Sequence, residues 1–170
     1  ATQAISGEIV LQNLLETMMN LVLENAGGKK GYLLLAHEPS EGETSWSLEV
    51  IAHAGGPIKT NSSPINFETE TRFPVNIVQT VIRTNAPLVL SNASTESQFC
   101  NNDYIETHQP KSILCSPVVN RGKLSGIVYL ENESTLGAFT EDHLNTVQLL
   151  STQTAISLEN AKLYANLEER

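Results

Sequence analysis

Only two of the 170 residues are cysteine, Cys100 and Cys115, and they stand in unlike surroundings without metal-ligand spacing. That count rules out a disulfide-built scaffold and fits a reducing compartment, so a cytoplasmic location is expected. Long apolar runs are missing as well: none approaches the roughly 18 residues that a membrane-spanning helix needs, and the first residues carry no signal-peptide pattern. Basic residues are few, 10 against 19 acidic, for a formal charge of −9, and they are scattered along the chain. Without a basic stripe there is nothing to neutralise nucleic-acid phosphates or an anionic membrane surface, and neither is an expected partner. The motifs of common catalysis are absent: no Gly-rich phosphate loop, no Gly-x-Ser-x-Gly elbow and no His-Glu-x-x-His pair. His37, His53, His108 and His143 show no i, i+4 pairing and no His/Cys cluster, so no metal centre is expected. Without EF-hand spacing, a cation site would have only Asp103, Glu106, Glu131 and Glu133 to draw on. The chain is expected to be non-enzymatic.

What is present is enough for one compact domain, residues 1–170, large enough to bury a core without staples. The chain starts without Met inside one helical pattern and stops inside another, as expected of a piece excised from a larger multidomain protein. Residues 4–26 place Ile5, Ile9, Leu14, Leu15, Met18, Leu21 and Val22 at helical spacings, and Gly27-Gly28 ends the pattern. Apolar positions cover more than one face of this helix, which is therefore expected either to pack on a sheet and on a second helix or to form part of a dimer seam. The sheet and pocket segment, 31–131, follows. Gly31–Ala36 reads as a central strand and Trp46–Ala52 as its hairpin partner across the turn Ser40–Glu43. From Gly55 to Thr71 the pattern fades into a loop with one short strand. Phe73-Pro74 opens a helix through Ile82 with Pro74 in its first turn, Ala86–Leu90 is a short strand, and one short helix lies between Gln98 and His108, stopped by Pro110.

In the last third, two β-rich runs, Lys111–Val119 and Leu124–Ser134, flank Asn120-Arg121-Gly122-Lys123, where Gly122 supplies the positive φ of a tight turn. A long helix then runs over 140–168. Pro117, Gly126, Tyr129-Leu130-Glu131-Asn132, Phe139-Thr140 with Leu144, and Ala155-Ile156-x-Leu158-Glu159-Asn160-Ala161-x-Leu163-Tyr164 occur in an order that resembles the C-terminal half of a GAF domain, most like those of bacterial, cyanobacterial-type multi-sensor histidine or serine/threonine kinases. The resemblance implies an α+β, PAS-like fold. Its central antiparallel sheet would have about six strands, with the long N- and C-terminal helices on one face and short helices and loops forming a pocket on the other. It also implies a sensory domain of a signal-transduction kinase, part of a two-component system, with the kinase effector covalently linked.

By the same resemblance the pocket lies between the sheet and residues 92–110. Phe99, Cys100, Asp103, Tyr104 and His108 on that segment, and Ser112, Cys115 and Tyr129 from the strands, are the candidate ligand-binding residues. The small-molecule or ion ligand stays open among several classes. A covalent bilin would attach through Cys100, which lies 17 residues ahead of Pro117, but Asn101 follows it where photoreceptors carry His, and a thiol packed as a small hydrophobe explains it more simply. A cyclic nucleotide would use Asn132 and Phe139 through Asp142, but Glu133 replaces the family's Lys and the acid comes one residue early. Thr140 as helix cap, with Glu141 and Asp142 in the first turn, accounts for those residues without a ligand. Haem has no particular histidine to recommend it. A methionine sulfoxide reductase of this fold would need several redox cysteines.

The final helix is expected to be about 40 Å long. Leu149, Gln153, Ile156, Asn160, Leu163 and Leu167 fall at alternating spacings of four and three, a coiled-coil seam with two polar members, while Leu144, Val147, Ser151, Leu158 and Ala161 form a second stripe for the sheet. A homodimer that passes a conformational signal through its terminal helices is expected. The alternative is a ligand-free structural dimerisation spacer.

Overall fold

The computed structural model describes residues 16, 17, 19, 20, 29–40, 42–53, 56, 58–96 and 98–168. Six strands, β1 (Lys30–Ser40), β2 (Glu43–His53), β3 (Lys59–Pro64), β4 (Leu88–Leu90), β5 (Ser112–Asn120) and β6 (Lys123–Asn132), form one antiparallel sheet in the order β3-β2-β1-β6-β5-β4. Three helices whose bounds lie among the described residues accompany them: α1 (Val75–Thr84), α2 (Asp103–His108) and α3 (Glu141–Glu168). The α+β architecture and the six-stranded sheet are those expected. Of the expected helix over 4–26, residues 16, 17, 19 and 20 are helical, and the remainder lies outside the described residues.

Period-two alternation divides the strands between two cores. Leu33 and Leu35 of β1 and Val128 and Leu130 of β6 face α3, meeting Val147, Ala155 and Met19. Tyr32, Leu34, Ile127 and Tyr129 point the other way, where α1 and the segment carrying α2 cover them with Phe73, Ile77, Phe99, Tyr104 and Ile105. The β5–β6 turn carries positive φ at two residues, Arg121 (+55°) and Gly122 (+77°), the pair that matches strand twist in a two-residue hairpin. At Gly126 the two central strands approach so closely that a Cβ would stand 2.5 Å from the carbonyl oxygen of Leu34.

Local chemistry sets the helix ends. Pro74 is extended (φ −74°, ψ 105°) and stands just ahead of α1, not in its first turn as expected, with its carbonyl accepting from Val78 N–H. Asn102 caps α2 by accepting from the N–H groups of Tyr104 and Ile105 at 2.9 and 3.4 Å, and Gln109 ends it in the left-handed region. Thr140 caps α3: its Oγ1 accepts from His143 N–H at 3.2 Å, while His143 Nδ1 accepts from Thr140 N–H at 3.1 Å. Val147, Ser151, Thr154 and Ala155 of α3 are buried, whereas Leu149 and Ile156 remain 61% and 47% exposed. No helix among the described residues is long and apolar enough to cross a membrane.

Candidate functional site

Strand β6 carries an acid where its alternation calls for an apolar side chain. Ile127, Tyr129 and Glu131 share the face under α1 and α2, and Glu131 has no exposed surface. Its Oε1 accepts two phenol protons, from Tyr129 at 2.7 Å within the strand and from Tyr104 of α2 at 2.8 Å. Its Oε2 is buried without a hydrogen-bond partner among the described residues. Lys30, directly across on β1, donates from Nζ to the Tyr104 hydroxyl at 2.8 Å, so that hydroxyl bridges the ammonium and the acid. The ammonium also lies 5.3 Å from the centroid of the Tyr32 ring and 5.2 Å from that of Tyr104.

Aromatic packing holds this group in place. Tyr32 and Tyr129 are stacked at 5.9 Å and 14°, and Phe73 tilts against them at 6.2 and 6.5 Å. Burial, reinforced by the charge of Glu131, pushes the phenols of Tyr104 and Tyr129 well above their ordinary range; burial also raises that of Tyr32, against the opposing pull of Lys30. All three therefore keep their protons at neutral pH, and Tyr104 and Tyr129 donate theirs to Glu131. The arrangement is a buried acceptor with one oxygen engaged and one without a partner among the described residues, next to an ammonium that lies over two tyrosine rings.

The expected site residues separate. Phe99, Tyr104, Cys115 and Tyr129 join one buried cluster, with half-buried Cys100 at its edge. Cys115 lies opposite Tyr129 with no exposure, and burial pushes its thiol far up. His108 is exposed but stacks on Tyr104 at 4.2 Å, its Nδ1 3.2 Å from the Tyr104 carbonyl. Asp103 is exposed in the first turn of α2. Ser112 is not with the others: its hydroxyl donates to the Thr135 carbonyl at 2.5 Å and accepts from Ala138 N–H at 2.9 Å, tying the β6–α3 connection. Asn132 accepts from the N–H groups of Ser134 and Thr135, each at 3.0 Å, turning the chain out of β6. Of the four acids named for a cation site, Glu131 is buried while Asp103, Glu106 and Glu133 are exposed, and no three potential ligands cluster for a metal among the described residues. Lys30 and Tyr32 were not among the expected site residues.

A hollow of about 300 Å³ lies elsewhere, between the β5–β6 hairpin and α3, lined by Leu35, Asn120, Arg121, Lys123, Ser125, Ala155 and Glu159. Glu159 of α3 is held there by the Asn120 amide and lies 3.6 Å from the Arg121 guanidinium. The hairpin therefore grips α3 from the side facing away from the tyrosines.

Among known families, the GAF domain matches residues 10–158. Hybrid signal transduction histidine kinase G of Dictyostelium discoideum is 37% identical over 95 residues, 56% of this chain and 3% of that kinase. The peroxide stress-activated histidine kinase of Schizosaccharomyces pombe is 22% identical over 170 residues, 98% of this chain and 7% of that kinase. The chain thus spans only a small part of either relative. Among solved structures, the GAF domain of a two-component sensor histidine kinase from Bacillus halodurans superposes with a TM-score of 0.64 at 18% identity, covering 89% of this chain and 95% of that one. A type II free methionine-R-sulfoxide reductase from Thermoplasma acidophilum superposes at 0.63 and 12% identity, covering 91% and 95%. At such identities the likeness to these structures is one of fold.

Proposed function

Because the chain belongs to the GAF domain family, we propose that it is a non-enzymatic sensory domain of a signal-transduction kinase, cytoplasmic and homodimeric, binding a small ligand on the α1/α2 face of its sheet and passing the change to a linked kinase through α3. The observation that carries this reading is the double character of α3. One side lies on the sheet through Val147, Ser151 and Ala155; the other leaves Leu149 and Ile156 in solvent, with Gln153 and Asn160 exposed between and beyond them. That apolar stripe with polar interruptions suits a second copy of the same helix, in which the polar members fix register. Leu163 and Leu167, the remaining seam members, lie outside the described side chains. At 28 residues and about 1.5 Å per residue, α3 is about 42 Å long, enough to lead from the sheet to a neighbouring domain.

The ligand would act by moving α2. The short helix α2 is tied to the acid through Tyr104, so a ligand bound there biases α2, and the sheet relays that bias to the Glu159 contact on α3. Light scattering on the purified domain tests the output half. A dimer is expected, Ile156→Glu should make it monomeric with unchanged circular dichroism, and Asn160→Leu should alter dimer geometry, read by cysteine crosslinking along α3. A monomeric wild-type domain, or an Asn160→Leu variant of unaltered geometry, would sink the account.

A second reading, a ligand-free dimerisation spacer, is favoured by the close packing of Tyr32, Phe73 and Tyr129 on the ligand face. Native mass spectra with an absorption spectrum of the same sample separate the two: an adduct on the dimer supports the sensor, and a bare dimer supports the spacer.

A further inference from the structure

A structural acid in a protein core normally has both oxygens engaged, because a buried acceptor left unpaired is costly and calls for an explanation. Glu131 has one oxygen doubly engaged and the other, buried, without a partner among the described residues. Tyrosine hydroxyls reach it, and the rings of Tyr32 and Tyr104 turn their faces to the ammonium of the neighbouring Lys30. A carboxylate close to electron-rich rings is the chemistry that recognises an organic cation: the acid accepts an N–H while the rings attract the charge within about 6 Å of their centroids. One cation already occupies such a position. The ammonium of Lys30 sits 5.3 and 5.2 Å from the centroids of Tyr32 and Tyr104, yet it forms no ion pair with Glu131 and reaches it only through the Tyr104 hydroxyl. Lys30 is half-buried on a flexible stem, so its ammonium can turn out to water.

We propose that Glu131, Tyr32 and Tyr104 form a binding site for a small organic ammonium compound, whose N–H bonds Oε2 of Glu131 while the rings take its charge, and that Lys30 is the built-in competitor displaced when it binds. The proposal rests on the sensor reading and names the ligand's chemistry. One cation enters as another leaves, so the charge of the site is unchanged by the exchange. The exposed acids on the neighbouring elements, Asp103 and Glu106 on α2 and Glu133 beyond β6, together with a formal charge of −9, favour the approach of cations over anions.

The test titrates the 170-residue domain with methylammonium chloride against sodium chloride of equal ionic strength, following the tyrosine ring resonances by NMR, for wild type, Lys30→Met and Glu131→Gln. Saturable shifts of the Tyr32 and Tyr104 rings are expected with methylammonium and not with sodium. Lys30→Met should bind at least tenfold more tightly than wild type, and Glu131→Gln should lose the response. Tetramethylammonium, which has no N–H, should bind Lys30→Met more weakly than methylammonium does. Absence of saturable binding in Lys30→Met with dispersed, native-like ring signals overturns the proposal, whatever the folding of Glu131→Gln. An equal response to sodium overturns it in favour of a simple cation site. An anionic or neutral adduct found on the native dimer also overturns it while leaving the sensor reading standing; a bare dimer without methylammonium binding removes both.

Discussion

Tyr104→Phe isolates the bond that ties α2 to the sheet. The substitution keeps the ring stacked on His108 and removes one hydroxyl, which donates to Glu131 at 2.8 Å and accepts from Lys30 at 2.8 Å. The second bond is half-exposed, and a freed ammonium turns to water at little cost. The first is buried and involves a carboxylate, a class worth about 1.5–3 kcal/mol, so about 2 kcal/mol is expected to be lost. Urea unfolding measures it: with a slope of about 2 kcal/mol per molar, the midpoint should fall by about 1 M without a change in slope. Tyr129→Phe removes a 2.7 Å bond to the same oxygen and should cost as much. The double variant should cost more than the sum of the two, by at least about 0.5 kcal/mol, because the second deletion strips the last donor from a buried acid. A loss under about 0.5 kcal/mol for Tyr104→Phe would refute the reasoning, since Glu131 would then be satisfied without α2.

Three further outcomes are expected. In Gly126→Ala the new Cβ meets the Leu34 carbonyl at 2.5 Å, backbone that cannot give way without parting β1 from β6, so about 3 kcal/mol or more is lost and the melting temperature falls by roughly 6–12 °C in a thermal circular-dichroism scan. A thiol-reactive chromophore should titrate Cys100 alone in the folded domain and both cysteines after denaturation, because Cys115 has no exposure and its thiol is pushed far up by burial; two fast thiols in the native protein would contradict the packing. Burial alone would raise the Glu70 carboxyl, but its bonds from Arg72 at 2.6 and 2.8 Å outweigh that and hold it below the usual range. Its contribution is therefore present above about pH 4.5 and lost as the pH falls through the lowered folded value, so the stability gap between wild type and Glu70→Gln should be flat above pH 5 and narrow below pH 4.

Much of this was legible in the chain. The turn Asn120–Lys123, the alternation through Tyr129 and Leu130 and the cap at Thr140 are local signals, and the structure uses them locally. β3 was only half visible: Lys59-Thr60-Asn61-Ser62-Ser63-Pro64 has no apolar alternation because an edge strand covers little core, and its pairing is set by β2. Tyr104 and Tyr129 could be picked as aromatics near an expected pocket. Lys30 could not, since nothing local shows that β1 begins one residue earlier and aligns it with Glu131, a hundred positions away. One signal was present for Glu131: it stands two residues after Tyr129 on the inward face of a central strand, and a charge that breaks a core pattern marks a site more often than an error. Ser112 shares a strand with Cys115 but has the opposite parity, so the sheet sends it to the other side.

The place of β6 beside β1 has a consequence for how the domain comes into being. Pairing Lys30 with Glu131 closes a loop of about 100 residues, at an entropic cost of about 4 kcal/mol before any contact across that seam forms. A chain leaving the ribosome can make the β1–β2 hairpin early, but the other edge of β1, from Lys30 to Leu35, stays unpaired until its β6 partners, through Glu131, have emerged. During that interval the nascent protein offers an apolar strand edge to anything that can add to it, and folding is set by the arrival of its last strand. A chain cut between β4 and β6 would therefore be an open-edged fragment prone to self-association, not a smaller domain.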